Sequence, residues 1–159
     1  MKINLIRIDE RLIHGQIVTT WIENAHASKI IVADDKAAAD EFQQSLLKMT
    51  TPSGVQLEIL SLEDTVNKIK NDESDVNVLM IAKSPESILR LLDLGFEFSK
   101  VNVGNIGMKK GKKSLLPYIW VDENDVKALK TLLDRGIELE ARSIPTDKSQ
   151  KVSSLLEKY

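Results

Sequence analysis

The chain has 159 residues with 22 basic and 24 acidic side chains, a net charge of -2, no cysteine and 4% aromatic residues. That length can bury a sizeable core within one ordinary domain, taken as residues 1–159, while the near-neutral charge and sparse aromatics argue against a nucleic-acid partner. The lack of cysteine excludes disulfides, thiolate catalysis and cysteine zinc sites, and no apolar run approaches the roughly 20 residues of a membrane helix.

The segment Met1-Lys2-Ile3-Asn4 leads straight into a strand rather than into a signal-peptide core, so a cytoplasmic location is expected, with membrane association only through a partner. Ile3–Ile8 is the first β-like run, and Ile17, Val18, Trp21 and Ile22 follow at helical spacing. Lys29–Ala33 reads as the second strand. Phe42, Leu46 and Leu47 mark the apolar stripe of a helix ending near Met49, and Thr51-Pro52-Ser53-Gly54 turns the chain. Gln56–Leu60 is a third strand, after which Ser61 and Asp64 have the spacing of a capping box for a helix carrying Val66 and Ile69.

Val76–Ala82 is the clearest strand. Broken only by Asn77, it has the composition of a strand covered on both faces and is expected at the centre of the sheet. Ser84-Pro85 supplies an N-cap and a favoured first helical residue, with Leu91 and Leu92 as the buried stripe and Gly95 as the stop. Lys100–Val103 and Tyr118–Val121 are the next two strands. Asp122 and Asp125 start another helix that Gly136 closes. Ile137, Leu139 and Ala141 alternate with Glu138, Glu140 and Arg142, the pattern of an edge strand with one wet face, and Val152, Leu155, Leu156 and Tyr159 share a face of a last helix. The alternation predicts an α/β fold: an open, mainly parallel seven-stranded sheet with six helices on both faces and the last strand an antiparallel edge.

The run Arg11-Leu12-Ile13-His14-Gly15 places one of only two histidines in the loop between the first strand and the first helix. In an open parallel sheet, ligands bind outside the carboxyl ends of the strands, where the first helix amides also point. Arg11 offers a planar fork suited to phosphate oxygens, and Gly15 lets a tetrahedral group approach the backbone. The backbone amides around Gly15 and Gln16 are expected to hold phosphate oxygens, and Asp9 can orient Arg11 or the imidazole. An unperturbed imidazole is substantially neutral near physiological pH, so one ring nitrogen can attack phosphorus without a separate strong base.

Lys83 and Ser84, after the central strand, emerge on the same sheet edge as His14 and can contact its phosphate, although Ser84 is equally well read as a helix cap. Asp34 and Asp35 follow the second strand. A carboxylate pair alone lacks the further oxygen ligands of a metal site, so a structural role is favoured and neither metal nor cofactor is expected. Met108-Lys109-Lys110-Gly111-Lys112-Lys113 is a basic loop, either simply solvated or steering an acidic partner or anionic headgroups. His26 falls at the end of the first helix, as a surface or capping residue.

Arg7-Ile8-Asp9-Glu10-Arg11-Leu12-Ile13-His14-Gly15-Gln16, with Trp21 and Ile31-Val32-Ala33-Asp34-Asp35, closely resembles the IIB component of the mannose family of sugar phosphotransferase systems. Pro52-Ser53-Gly54-Val55, Lys83-Ser84-Pro85-Glu86, Val101-Asn102-Val103-Gly104 and Gly136-Ile137-Glu138-Leu139-Glu140 with Pro145 extend the likeness along the chain. One departure is Asn105, where many relatives carry a second glycine. The resemblance implies that His14 accepts phosphate, on Nδ1, from a phosphohistidine of a IIA component. It also implies transfer to a sugar entering through the membrane subunits IIC and IID, and it leaves a homo-oligomer open. Two other classes compete. Histidine phosphatases and mutases also place an arginine near a His-Gly but need a second histidine in a separate loop, and a non-catalytic regulatory module would retain the phosphate.

Overall fold

A computed structural model describes residues 1–159. The chain runs β1 (Lys2–Asp9), α1 (Gly15–Ala25), β2 (Lys29–Ala33), the single-turn α2 (Asp35–Ala38), α3 (Glu41–Thr50), β3 (Gln56–Leu60) and α4 (Leu62–Asn71). It continues through β4 (Asn77–Ala82), α5 (Pro85–Asp93), β5 (Lys100–Asn105), β6 (Lys113–Leu116), β7 (Ile119–Val121), α6 (Glu123–Asp134), β8 (Glu138–Ala141), β9 (Gln150–Lys151) and α7 (Val152–Leu156). The main sheet has the order β3-β2-β4-β1-β5-β8-β9 and is parallel throughout except for β9, which pairs antiparallel with β8 at the edge. The expected α/β fold with a mainly parallel seven-stranded sheet and an antiparallel last strand is therefore present.

The period-2 alternation of strand side chains divides the apolar residues between two cores. On one face Leu79 and Ile81 of β4 meet Ile30 and Val32 of β2, Val18, Trp21 and Ile22 of α1, and Leu47 of α3. On the other, Met80 and Ala82 of β4 and Ile6 and Ile8 of β1 meet Leu62 and Val66 of α4, Ile88 and Leu91 of α5, Leu129 and Leu132 of α6, and Leu155 and Leu156 of α7. Burial on both faces keeps β4 in the interior of the sheet, between β2 and the middle strand β1, as its apolar run requires. Ser61, Ser84 and Asp122 cap their helices by accepting from the amides of Asp64, Ser87 and Asp125. Asp125 returns a bond to the Asp122 amide and completes a capping box.

Three expectations shift in detail. Tyr118–Val121 does not join the main sheet: β7 pairs antiparallel with β6 in a small hairpin, and only Ile119 bridges to Ile106 beyond β5. The strand at 137–141 is second from the edge, parallel to β5, because the two-residue β9 returns beside it. Its apparently wet position 140 is buried, since Glu140 is paired with Arg142. Of the apolar stripe of the helix at 41–50 only Leu47 turns into the core, whereas Phe42 is 73% exposed and Leu46 47% exposed. The inward face is shared by Leu47 and Gln44, whose side-chain amide donates to the Ala37 and Ala38 carbonyls at the end of α2. A polar contact thus takes a place on that face beside the one buried leucine. The single-turn α2, absent from the sequence reading, raises the helix count to seven.

Trp21 is fully buried and ties α1 to the sheet. Its indole N–H donates to the Ser143 carbonyl at 2.9 Å, while the Arg7 and Arg142 guanidinium groups lie 5.1 and 5.4 Å from the ring centroid. Trp21→Ala removes a large core side chain together with both cation–π contacts, so urea unfolding should show a loss of about 3–5 kcal/mol.

Candidate functional site

β1 and β4 run side by side with Ile8 opposite Ala82, so the loop beginning at Glu10 and the Lys83-Ser84 pair leave the sheet on the same edge. In the β1 loop, the Leu12 amide donates to the Asp9 carbonyl at 2.9 Å, and Leu12 has φ 63, a left-handed conformation unfavourable for a side chain. It is held there because Leu12 and Ile13 are both buried in the core beneath α1. Two apolar anchors pull inward, and the next residue turns out.

That residue is His14, exposed, at the N-cap of α1. Its carbonyl accepts from the amides of Ile17 and Val18, but its side chain makes no capping bond, so the imidazole is not consumed by the helix it starts. Gly15 follows with φ 35 and open space where a Cβ would stand. The amides of Gly15 and Gln16 belong to the first turn and find no carbonyl four residues back, as at any helix start.

Asp9 lies at the root of the loop, 1% exposed, with every oxygen engaged. Oδ1 accepts from the Arg11 amide at 3.0 Å and from Arg11 Nε at 3.3 Å; Oδ2 accepts from Arg7 Nη2 at 3.0 Å and from Arg11 Nη2 at 3.4 Å. Of the two roles open to Asp9 from sequence, the geometry is that of orienting Arg11. The Arg11 side chain remains 35% exposed, so one edge of its guanidinium is bound and the rest faces solvent. Arg7, by contrast, is 2% exposed. Its Nη1 donates to Asn102 Oδ1 at 2.8 Å and to the Arg142 carbonyl at 3.3 Å. Burial pulls its pKa down from the ordinary arginine value, against the opposing pull of Asp9.

The polar network continues inward. Asn102 Nδ2 donates to the Arg142 carbonyl, Arg142 holds Glu140 by a two-point pair at 2.7 and 2.8 Å, and the Ser149 hydroxyl donates to Glu140 at 2.5 Å. Gly104 of β5 sits against the Arg7 guanidinium so closely that any Cβ would occupy the same space. Sequence reading assigned no role to Arg7, Asn102, Gly104 or Arg142. Arg7 did carry a signal: it is a cation between Ile6 and Ile8 in an otherwise buried strand, where an arginine must be paired.

A crevice of about 380 Å³ opens at the carboxyl ends of the strands, lined by Glu10, Asp34, Asp35, Lys36, Lys83, Ser84, Ser87, Lys109, Lys112 and Asp125 with Leu62 and Ile106. Lys83 and Ser84 thus share it with Glu10, whereas His14, Arg11, Gly15 and Gln16 stand outside its lining. Most of its charges are already engaged. Glu10 accepts from the Gly107 amide at 2.5 Å and pairs with Lys109 at 3.2 Å; burial raises its pKa, but these two contacts prevail and hold it below the usual glutamate value. Lys112 pairs with Asp125 at 2.7 Å, and Lys113 lies over the Tyr159 ring at 5.3 Å. The basic loop is therefore partly structural, not simply solvated. Ser84 Oγ accepts from the Ser87 amide at 3.2 Å, the helix-cap role.

Asp34 caps α2 through the Ala37 amide, and Asp35 accepts from the Leu62 amide at 2.9 Å, so both carboxylates serve the backbone. His26 is the exposed C-cap of α1 with φ 51. The two histidines cap opposite ends of an 11-residue helix, about 18 Å apart along its axis, and cannot face each other.

The fold is thus an open, mainly parallel α/β sheet whose carboxyl edge carries an exposed histidine without a capping bond, in the same loop as an arginine held by Asp9. A family profile described as "PTS system sorbose subfamily IIB component" matches residues 3–159, and the chain belongs to that family. It is 36% identical over 159 residues to the mannose-specific EIIAB component of the phosphotransferase system (PTS) of Escherichia coli, covering 99% of this chain and 49% of that protein. It is 34% identical to the fructose-specific EIIB component of Bacillus subtilis, covering 98% and 96% of the two chains. The crystal structure of the IIBSor domain of the sorbose permease from Klebsiella pneumoniae superposes with a TM-score of 0.93 at 31% identity, covering 99% and 98%. The chain spans about half the length of the mannose-specific relatives, whose full proteins are longer.

Glu140 generates a pH test. Burial raises its pKa, but Arg142 and Ser149 outweigh that and hold it below the usual value. A carboxylate with a depressed folded pKa stabilises fully above its unfolded value of about 4.3 and loses that contribution as pH falls through the folded value. The melting-temperature gap between the parent and Glu140→Gln should be widest above about pH 5 and close progressively below about pH 4.

Proposed function

We propose that this chain acts as one IIB unit that carries a phosphoryl group on His14, taking it from the phosphohistidine of a IIA donor and giving it to a sugar that enters through IIC and IID membrane subunits. The observation that carries the reading is the exposed imidazole at the N-cap of α1, free of any capping bond, in a chain whose residues 3–159 match the family. No helix is long and apolar enough to cross a membrane, which is consistent with the sugar path lying in partner chains.

Each transfer is an in-line displacement. A ring nitrogen of the His14 imidazole attacks phosphorus with its lone pair, a new N–P bond forms as the donor's N–P bond breaks, and the proton shed from the other His14 ring nitrogen is taken up, through solvent, by the departing donor imidazole. In the second step the sugar hydroxyl oxygen attacks the same phosphorus, the His14 N–P bond breaks, and the hydroxyl proton passes to the released imidazole. Such reactions are accelerated mainly by positioning and by charge placed on the equatorial oxygens. Arg11 supplies a fork held by Asp9, and the amides of Gly15 and Gln16 supply donors at the positive end of α1. Lys83 and Ser84 leave the neighbouring strand on the same sheet edge and line the crevice that Glu10 of the His14 loop also borders. A phosphatase or mutase is disfavoured by the position of His26.

Incubation with phosphoenolpyruvate, the general phosphotransfer proteins and a IIA donor should add one acid-labile phosphate, mapped by mass spectrometry to His14. Undiminished labelling of His14→Ala overturns the assignment. Arg11→Lys keeps the charge but loses the two-point contact, so transfer should slow by roughly ten- to a hundred-fold while the melting temperature changes little. A parental transfer rate in that variant would remove Arg11 from the site.

A further inference from the structure

We propose that Arg7 is a positioning residue for phosphoryl transfer, acting through Asp9 to fix Arg11 and to keep its charge available. The inference rests on the carrier reading of His14.

Asp9 is the one carboxylate that Arg7 and Arg11 share. Taken alone, an Asp9–Arg11 pair is electrically neutral, and Arg11 would offer an incoming phosphoryl group little net attraction. With Arg7 bound to the same carboxylate, the three side chains carry one net positive charge, and the only exposed cation among them is Arg11. The field favouring an anion is thereby delivered at the solvent-facing guanidinium beside the histidine loop. Arg7 also sets the geometry. Its Nη2 takes one side of Asp9 Oδ2 and leaves Oδ1 directed at the Arg11 amide and Nε.

Arg7 is itself immobile. Asn102, the Arg142 carbonyl, the Trp21 ring and the closely apposed Gly104 backbone surround it on separate sides. This arrangement uses the planar fork, because two Nη atoms serve three acceptors in different directions, and a lysine ammonium cannot reproduce it. Stability alone is a poor account of it: replacing a buried ion pair by packed apolar groups is often neutral or stabilising, whereas an ion pair fixes orientation.

The test is a kinetic cycle on the full chain with a phosphorylated IIA donor. Arg7→Lys, Arg11→Lys and the double variant are measured below their melting temperatures for end-point His14 phosphorylation, kcat and KM. All three should reach one phosphate per chain. Arg7→Lys should lower kcat about ten-fold with KM for the donor unchanged, and the double variant should be no slower than Arg11→Lys, since Arg7 acts only through Arg11. A merely structural Arg7 lowers the melting temperature but leaves kcat of the folded protein at the parental level, which overturns the proposal. Losses that multiply in the double variant overturn it equally. If Arg7→Lys does not fold, Asn102→Ala, which removes one anchor of Arg7, is put through the same cycle with the same expected non-additivity. Failure of the parent to label on His14 refutes the carrier reading instead and is distinguishable from both kinetic outcomes.

Discussion

The buried ion pair between Arg7 and Asp9 is the constraint around which this edge of the molecule is built. Two charges with almost no solvent access are tolerated only when their remaining donors and acceptors are satisfied. Satisfying them recruits Asn102 from β5, the backbone of Arg142 beyond β8, the indole of Trp21 from α1, and the amide of Arg11. Strands that are distant in sequence are thus joined by polar contacts at the point where the functional loop leaves the sheet. The glycine at 104 follows from the same constraint, because the guanidinium fills the space a Cβ would take.

From that fixed root the loop reaches solvent by a balance of opposing preferences. Leu12 adopts a backbone conformation that costs on the order of 1 kcal/mol or more for a residue with a side chain. Burial of Leu12 and Ile13 each contributes about 1.5–3 kcal/mol, which outweighs that cost and pins the loop. His14 is the first residue after these anchors, and its position at the N-cap directs it outward beside the first helical amides. The loop combines a rigid foundation with an exposed imidazole, the arrangement the proposed carrier role would need for meeting a donor protein face to face.

The sequence made much of this legible because the relevant signals were local. The apolar run at 76–82, the caps at Ser61, Ser84 and Asp122, and the strand–loop–helix around His14 each depend on neighbours within a few residues. What the sequence hid depended on long-range pairing. The inward face of α3 pairs Leu47 with Gln44, which reaches the end of α2, and leaves Phe42 and Leu46 of the apolar pattern outside. Glu140 looked wet because its charge gave no sign of Arg142 and Ser149 around it. Arg7 was visible as an anomaly in a buried strand, but its partners lie in β5 and beyond β8, which periodicity cannot locate.

The charge state of the crevice beside the loop follows the same logic. Glu10 is occupied by Gly107 and Lys109, Lys112 by Asp125, and Asp34 and Asp35 by helix-start amides, so eight charged side chains around the opening create little net field. Lys36 and Lys83 have no carboxylate partner within ion-pairing distance. On the proposed reading, a phosphoryl group on His14 would meet a positive edge made by few groups, Arg11 and the start of α1, with Lys83 on the same edge of the sheet. A sparse set of contacts suits a carrier, since each interaction that holds the phosphoryl group in the ground state deepens the well from which the next transfer must proceed. Preorganising Arg11 through Asp9 and Arg7 serves that need better than adding ligands, because it lowers the cost of orienting the cation without tightening its grip on the intermediate.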